Sequence, residues 1–342
     1  DRVEAVSRVK IAAALLLSLT LGLLAGCSSD ASGGDAAPTW VDEEVTFEAD
    51  GLTLHGTYRH RDDDQSGPAA LLISESGNTD RNGDNLVAGP IGNMRQLAEL
   101  LSERGVASLR YDKVGTGRTG LGPYEANPND VVSSVYTTGA KSAIRFLADR
   151  SDTDQDRLSV YALGEGTVHA MTLAGDTSPG APAVHSLGLF QPLPGRYLDI
   201  ITNRVKADGS PETIAAWEAA VEQVRADGTA PAELPDGLGA ILNPGNVKAV
   251  AEADKIDPVA LAAAIPAGTP VLVTCSDSDN QALCSAVQPL VDALAHTDLT
   301  LVELDGVNHV LRDDPTDNIA NYASGQPLSP QVGSALDEFV TK

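Results

Sequence analysis

Residues able to carry chemistry sit at the ends of short apolar runs. Asp277 and Asp279 follow the run 270–274, and His309 follows the run 299–304. A carboxylate that orients an imidazole yields a base able to draw a proton from a nucleophile. Read alone, His309 is better taken as a loop histidine bonded to backbone. Ser76 follows the run 69–74, and Gly164, Glu165 and Thr167 lie at or just past the end of the run 157–163. The six histidines (55, 60, 169, 185, 296, 309) show no His-x-x-x-His spacing and no matching Cys-x-x-Cys pair, so neither a metal nor a cofactor is expected. Gly115-Thr116-Gly117 lacks the third glycine of a dinucleotide fingerprint and reads as a turn. Arg61-Asp62-Asp63-Asp64 reads as a solvated loop, and His169 as a packing or pocket-wall residue.

The elements that must position these residues alternate in type. Residues 41–58 alternate polar and apolar around Asp50-Gly51, a hairpin signal. The runs 69–74, 106–111, 157–163, 184–190, 270–274 and 299–304 read as strands, most of them apolar enough for burial on both faces. Helical spacing appears at 91–104, 131–147, from about 167, near 281–295 and near 330–340. Strand and helix in alternation predict an α/β fold with a mostly parallel sheet covered on both faces. Residues 191–268 break the rhythm with helical patches at 212–225, 247–253 and 258–264 and no convincing strand. They are expected to form a helical insertion over the carboxyl ends of the strands, where sites in such sheets lie. The core is thus expected in two parts, 40–190 and 269–342.

Four segments resemble the α/β-hydrolase family, particularly its bacterial esterase-like members, and the resemblance spans most of the body from about Val41 to Lys342. Ser74-Glu75-Ser76-Gly77-Asn78-Thr79-Asp80-Arg81 is similar to the family's Gly-Ser-Gly-Pro-x-Asp-Arg loop, with Glu75 in place of the first Gly and Asn78 in place of Pro. Arg110 to Arg118 is similar to the Arg-Tyr-Asp-x-Arg-Gly-x-Gly segment, with Val114 in place of an Arg. The loops bearing Asp279 and His309 resemble the family's acid and histidine loops, in the family's order of acid before histidine. The resemblance implies Asp279 (or, failing it, Asp277) and His309 as catalytic partners. It also implies backbone N–H groups of Ser76, Gly77 and Glu165 as oxyanion donors, and a small acyl or ester-like ligand or substrate.

The family's nucleophile sits at the centre of Gly-x-Ser-x-Gly, on a sharp strand-to-helix turn. Here only Ala162 and Gly166 provide the required small residues two before and two after, which puts Gly164 at the nucleophile position. Glycine accepts the strained angles of that turn, so the geometry survives while the attacking atom is absent. The expectation is a pseudo-hydrolase. Its alternatives are a hydrolase with an unusual nucleophile (Ser76 and Thr167 lie near) or a ligand- or partner-binding protein. Glu165 is expected to point away from the imidazole, and Gly164→Ser to create esterase activity.

Composition excludes some partners, and the N-terminal segment reads as an address. The 342 residues include 23 Lys+Arg against 48 Asp+Glu, a formal charge of −25. Such a surface does not neutralise phosphates, which argues against nucleic acid as partner. Apolar residues at 42% suffice for a sizeable core. Arg2, Arg8 and Lys10 precede the apolar run 11–26, which reads as a signal peptide (1–26). Leu24-Ala25-Gly26-Cys27 resembles a bacterial lipobox; the alternatives are a plain membrane anchor and a secretory signal with an incidental Cys. That resemblance implies a lipid on Cys27, membrane attachment through it, an extracytoplasmic location and a flexible tether over 27–39. The same compartment permits Cys275 and Cys284, the two other cysteines, to pair; two free buried thiols are the alternative.

Overall fold

A computed structural model of the chain describes residues 36–75 and 77–342. The signal peptide, Cys27 and most of the tether, and Ser76, lie outside the described residues. One compact unit runs from Pro38 to Lys342. Its strands are β1 (Trp40–Ala49), β2 (Leu52–Arg61), β3 (Gly67–Ile73), β4 (Ala107–Tyr111), β5 (Thr153–Leu163), β6 (Ser186–Phe190), β7 (Pro270–Ser276) and β8 (Asp298–Leu304). They form one sheet in the order β1-β2-β4-β3-β5-β6-β7-β8. β1 and β2 form the expected hairpin, with Asp50 and Gly51 both at positive φ (48° and 81°), the combination that a two-residue turn matching the strand twist needs. β2 also pairs antiparallel with β4, and every pair from β4 to β8 is parallel.

Parallel neighbours need crossovers, and helices supply them. α1 (Asn93–Glu103) links β3 to β4, α2 (Ser133–Ala148) links β4 to β5, and α3 (Gly166–Ala174) links β5 to β6. Alternate residues of each strand then serve opposite faces. Leu71 and Ile73 of β3 join a core with Ile144 and Leu147 of α2 and Met171 of α3, while Ala70 and Leu72 join another with Leu97 and Leu101 of α1. A fully buried Leu or Ile contributes about 1.5–3 kcal/mol, so these strands carry unbroken apolar runs rather than a polar–apolar alternation.

Between β6 and β7 lie four helices, α4 (Tyr197–Asp208), α5 (Pro211–Asp227), α6 (Val247–Lys255) and α7 (Pro258–Ala263). The last three occupy the patches marked by the sequence. α4 was not foreseen, because prolines at 192 and 194 and Gly195 precede it and Gly209 ends it. Its Leu198, Ile201 and Val205 nevertheless recur at helical spacing and pack on Trp217, Val221 and Val224 of α5. Buried Asp254 of α6 ties the group together, accepting from Arg196, from Arg225 and from the Leu198 N–H that opens α4. After β7 come α8 (Cys284–Ala293), which begins three residues later than its apolar pattern suggested, and, beyond β8, α9 (Pro330–Phe339). α9 closes the second core with Leu336 and Phe339.

Candidate active site

The turn between β5 and α3 has Gly164 at its apex, with φ +58°. Two residues on, Gly166 packs so closely on β3 that a Cβ there would lie 2.6 Å from the Ser74 carbonyl oxygen. That contact is the reason for a small residue at this place, and it supports the register that puts Gly164 at the apex. Thr167 is fully buried and its hydroxyl donates to the Gly164 carbonyl at 2.6 Å. It is bound into the turn.

The space beside Gly164 is filled by another side chain. A Cβ built on Gly164 would lie 1.6 Å from Oε2 of Glu75. Glu75 follows β3, and its carboxylate reaches across to the elbow. Oε1 accepts the Glu165 N–H at 2.8 Å, and Oε2 lies 2.5 Å from Nε2 of His309. The Glu165 N–H is the donor expected to hold an oxyanion, and here a built-in carboxylate takes it. The expected dyad of Asp279 and His309 is extended here, because Glu75 completes a carboxylate–imidazole–carboxylate row.

The other end of the row is Asp279. Its Oδ2 lies 2.9 Å from Nδ1 of His309, and it is fully buried. Asp277, the alternative acid, is exposed and accepts instead from the Gly306 N–H. The Asp279 loop leaves β7 and is closed by a disulfide between Cys275 and Cys284. Asp317 steadies both sides of the row, accepting the N–H of His309 and that of Asn280. Burial by itself lowers the imidazole pKa of His309. The hydrogen bond and charge of Asp279, followed by those of Glu75, outweigh burial and raise it to about 10. The two acidic side chains thus favour the charged form of the ring, the form in which neither nitrogen can take a proton from water.

Around this row the remaining motif residues serve as scaffold. Arg81 donates to Asp112 at 2.9 Å and pairs with Glu44, and Asp112 also accepts the backbone N–H groups of Arg81 and Arg118. The two motif loops are thereby fixed to each other. Lys113 is buried and donates to the carbonyls of Ser74 and Glu75. Desolvation lowers its pKa to about 8. His169, near the same spot, is buried with Nδ1 3.1 Å from the Thr137 hydroxyl. Desolvation, then the Lys113 charge, lowers its pKa to about 4, in keeping with a packing role. Gly77, at φ +68°, borders a cavity of about 330 Å³ that also reaches Glu75 and His309.

A larger cavity of about 600 Å³ opens above the row. Glu75, Gly164 and His309 border it together with Leu193, Ile200 and Ile241 of the β6–β7 segment. Gln191 borders it too. Gln191 sits just after β6 at φ +46°, its Oε1 accepts from the Thr274 hydroxyl, and its buried Nε2 has no partner among the described residues. The one group of three possible metal ligands among the described residues is Cys275, Cys284 and Glu303. Both thiols are consumed by the disulfide, so that group does not fit an ion. No helix among the described residues is long and apolar enough to cross a membrane.

No family model matches the chain, and no curated protein matches it by sequence. Solved structures do. The Pyrococcus furiosus esterase Pf2001 matches with a TM-score of 0.55 and 16% identity, over 88% of this chain and 91% of that one. Est1E from Butyrivibrio proteoclasticus matches with a TM-score of 0.55 and 16% identity, over 87% and 99%. The α/β hydrolase GrgF from Penicillium sp. sh18 matches with a TM-score of 0.51 and 18% identity, over 79% and 91%. The fold is that of the α/β-hydrolases, as the motif loops implied.

Proposed function

We propose that this protein is a lipid-anchored, extracytoplasmic pseudo-hydrolase of carboxylic-ester hydrolase descent. It holds a small acyl or ester-like ligand in the cavity above Gly164 without cleaving it by a serine route. The observation that carries this reading is the Glu75 carboxylate lying where the nucleophile's side chain would stand, bound to both the imidazole and the Glu165 N–H. Acyl transfer develops negative charge on a carbonyl oxygen and needs donors aimed at it. Here that oxygen would meet a carboxylate instead of an open N–H. A cavity with Leu193, Ile200 and Ile241 in its walls favours an apolar ligand. The unpartnered Nε2 of Gln191 favours one with a carbonyl or hydroxyl acceptor. The lipobox at Leu24 to Cys27 and the Cys275–Cys284 disulfide support the location.

The test combines a fluorophosphonate with mass spectrometry of the native protein. The wild type is expected to show no covalent label, to retain a small apolar molecule in near one-to-one ratio, and to incorporate labelled fatty acid that Cys27→Ala abolishes. Labelling of any Ser or Thr in the folded protein would refute the pseudo-hydrolase reading.

A further inference from the structure

We propose that Leu86 and Val87, flanked by Ile319, dip into the lipid bilayer as a second membrane contact beside the lipid on Cys27. This contact rests on the anchor proposed above. Leu86 and Val87 are 92% and 86% exposed, and Ile319, at 51%, is the next most exposed large apolar side chain among the described residues. Single apolar side chains scattered over a surface are ordinary, whereas contiguous ones mark a contact. All three border the cavity of about 330 Å³ that reaches Glu75 and His309. A tight turn holds the tip out. Asn85 and Gly89 exchange backbone hydrogen bonds, and Asn85 Oδ1 accepts the N–H groups of Val87 and Ala88. Those donors are satisfied within the turn, as entry into a water-poor layer requires.

Charge sets this face apart from the rest of the chain. Charged residues make up 21% of the sequence, yet 85–94 and 318–336 contain none. The two stretches meet, with Ala88 and Ile91 of one and Tyr322 of the other in a single apolar cluster. The flanking carboxylates turn inward, Asp84 onto the Gly92 N–H and Asp317 onto the Tyr322 hydroxyl. A stable protein partner would need about 800 Å² on each side, which three side chains around a projecting tip do not supply. A fluid bilayer needs no matching shape. The tether 27–39 reaches at most about 45 Å, so a lipid on Cys27 keeps the bilayer at high effective concentration and shallow insertion suffices. With no Lys or Arg in either stretch, docking draws on apolar burial and not on anionic headgroups. An apolar molecule leaving the bilayer beside Leu86 enters the cavity without crossing water.

Tryptophan fluorescence tests this on the full chain, placed on phosphatidylcholine vesicles whose acyl chains carry bromine as a quencher. Leu86→Trp and, in a separate variant, Ile319→Trp should be quenched. Asp156→Trp, exposed near the amino end of β5 and so away from the carboxyl ends of the parallel strands, should not be. The wild type supplies the background of Trp40 and Trp217. Leu86→Asp with Val87→Asp, added to Ile319→Trp, should abolish quenching by lowering the ratio of docked to free protein at least ~100-fold, the scale of two aliphatic side chains kept in water. Quenching at 86 no greater than at 156 overturns the proposal, as does quenching at 319 that survives the aspartate pair. A dimer that the aspartate pair dissolves, with no tryptophan quenched, overturns it in favour of a second copy. The readout needs neither ligand nor turnover, so failure of the pseudo-hydrolase reading, which shows as fluorophosphonate labelling, is distinguishable from failure of this one.

Discussion

Gly164 and Glu75 are two departures from one motif pair, and each makes sense through the other. A side chain at 164 would collide with the Glu75 carboxylate, and a glycine at 75 would leave His309 with Asp279 alone. The structure therefore revises what Gly164→Ser should do. Alone, the new Cβ must drive Glu75 out, and a serine at φ +58° adds about 1–3 kcal/mol of strain. Little activity on p-nitrophenyl esters is expected from the single variant. Adding Glu75→Gly clears the Glu165 N–H and leaves His309 one carboxylate. The double variant should exceed the single in kcat/KM by at least ~100-fold, the scale of regaining one oxyanion donor. Equal activity of the two would mean that Glu75 swings aside at no cost.

At the level of elements, the acid of the row is delivered by a stapled loop. Cys275 stands one residue before the end of β7 and Cys284 opens α8, so the disulfide encloses Asp279. Closing so short a loop is worth about 2–3 kcal/mol. Replacing both cysteines by serine should lower stability by that amount in denaturant unfolding. It should also lower the pKa of His309 in an NMR titration, because a looser loop lets Asp279 draw back from Nδ1. A loss of stability with the pKa unmoved would show that the Asp317 bonds to Asn280 and His309 suffice to hold the loop.

For the molecule as a whole, three buried bases shape the dependence of stability on pH. His309 has its pKa raised to about 10 in the fold. It stabilises fully below its unfolded value of about 6.5 and progressively less as pH rises toward 10. Lys113, lowered to about 8, acts in the opposite sense above that pH. His169, lowered to about 4, stabilises above about 6.5 and loses that contribution as pH falls. Guanidinium unfolding across this range should give a maximum near the ordinary imidazole pKa, with a decline between about 6.5 and 8 that flattens beyond. His309→Gln should abolish that decline. A decline that survives the substitution would mean that the row is not the source of the alkaline loss.

The amino-acid sequence alone determined the strand and helix order, because burial on both faces writes continuous apolar runs such as 69–74 and 270–274 into the chain. It marked the Asp50-Gly51 hairpin through backbone angles that few residues accept. It also put Asp279, His309 and the elbow apex at Gly164 in sight, since each lies at a strand end where side-chain type and small-residue spacing are constrained locally. Helix α4 was obscured by neighbouring prolines and glycines, and only its packing on Trp217 decides it. The part played by Glu75 was hidden for a deeper reason. In the sequence it is 234 residues from His309 and reads as a lost glycine of a motif. Only the close approach of β3 to the elbow, enforced by Gly166 beneath it, brings its carboxylate onto Gly164. Which group stands beside an imidazole is a matter of distance in space, and a pattern along the chain does not encode that distance.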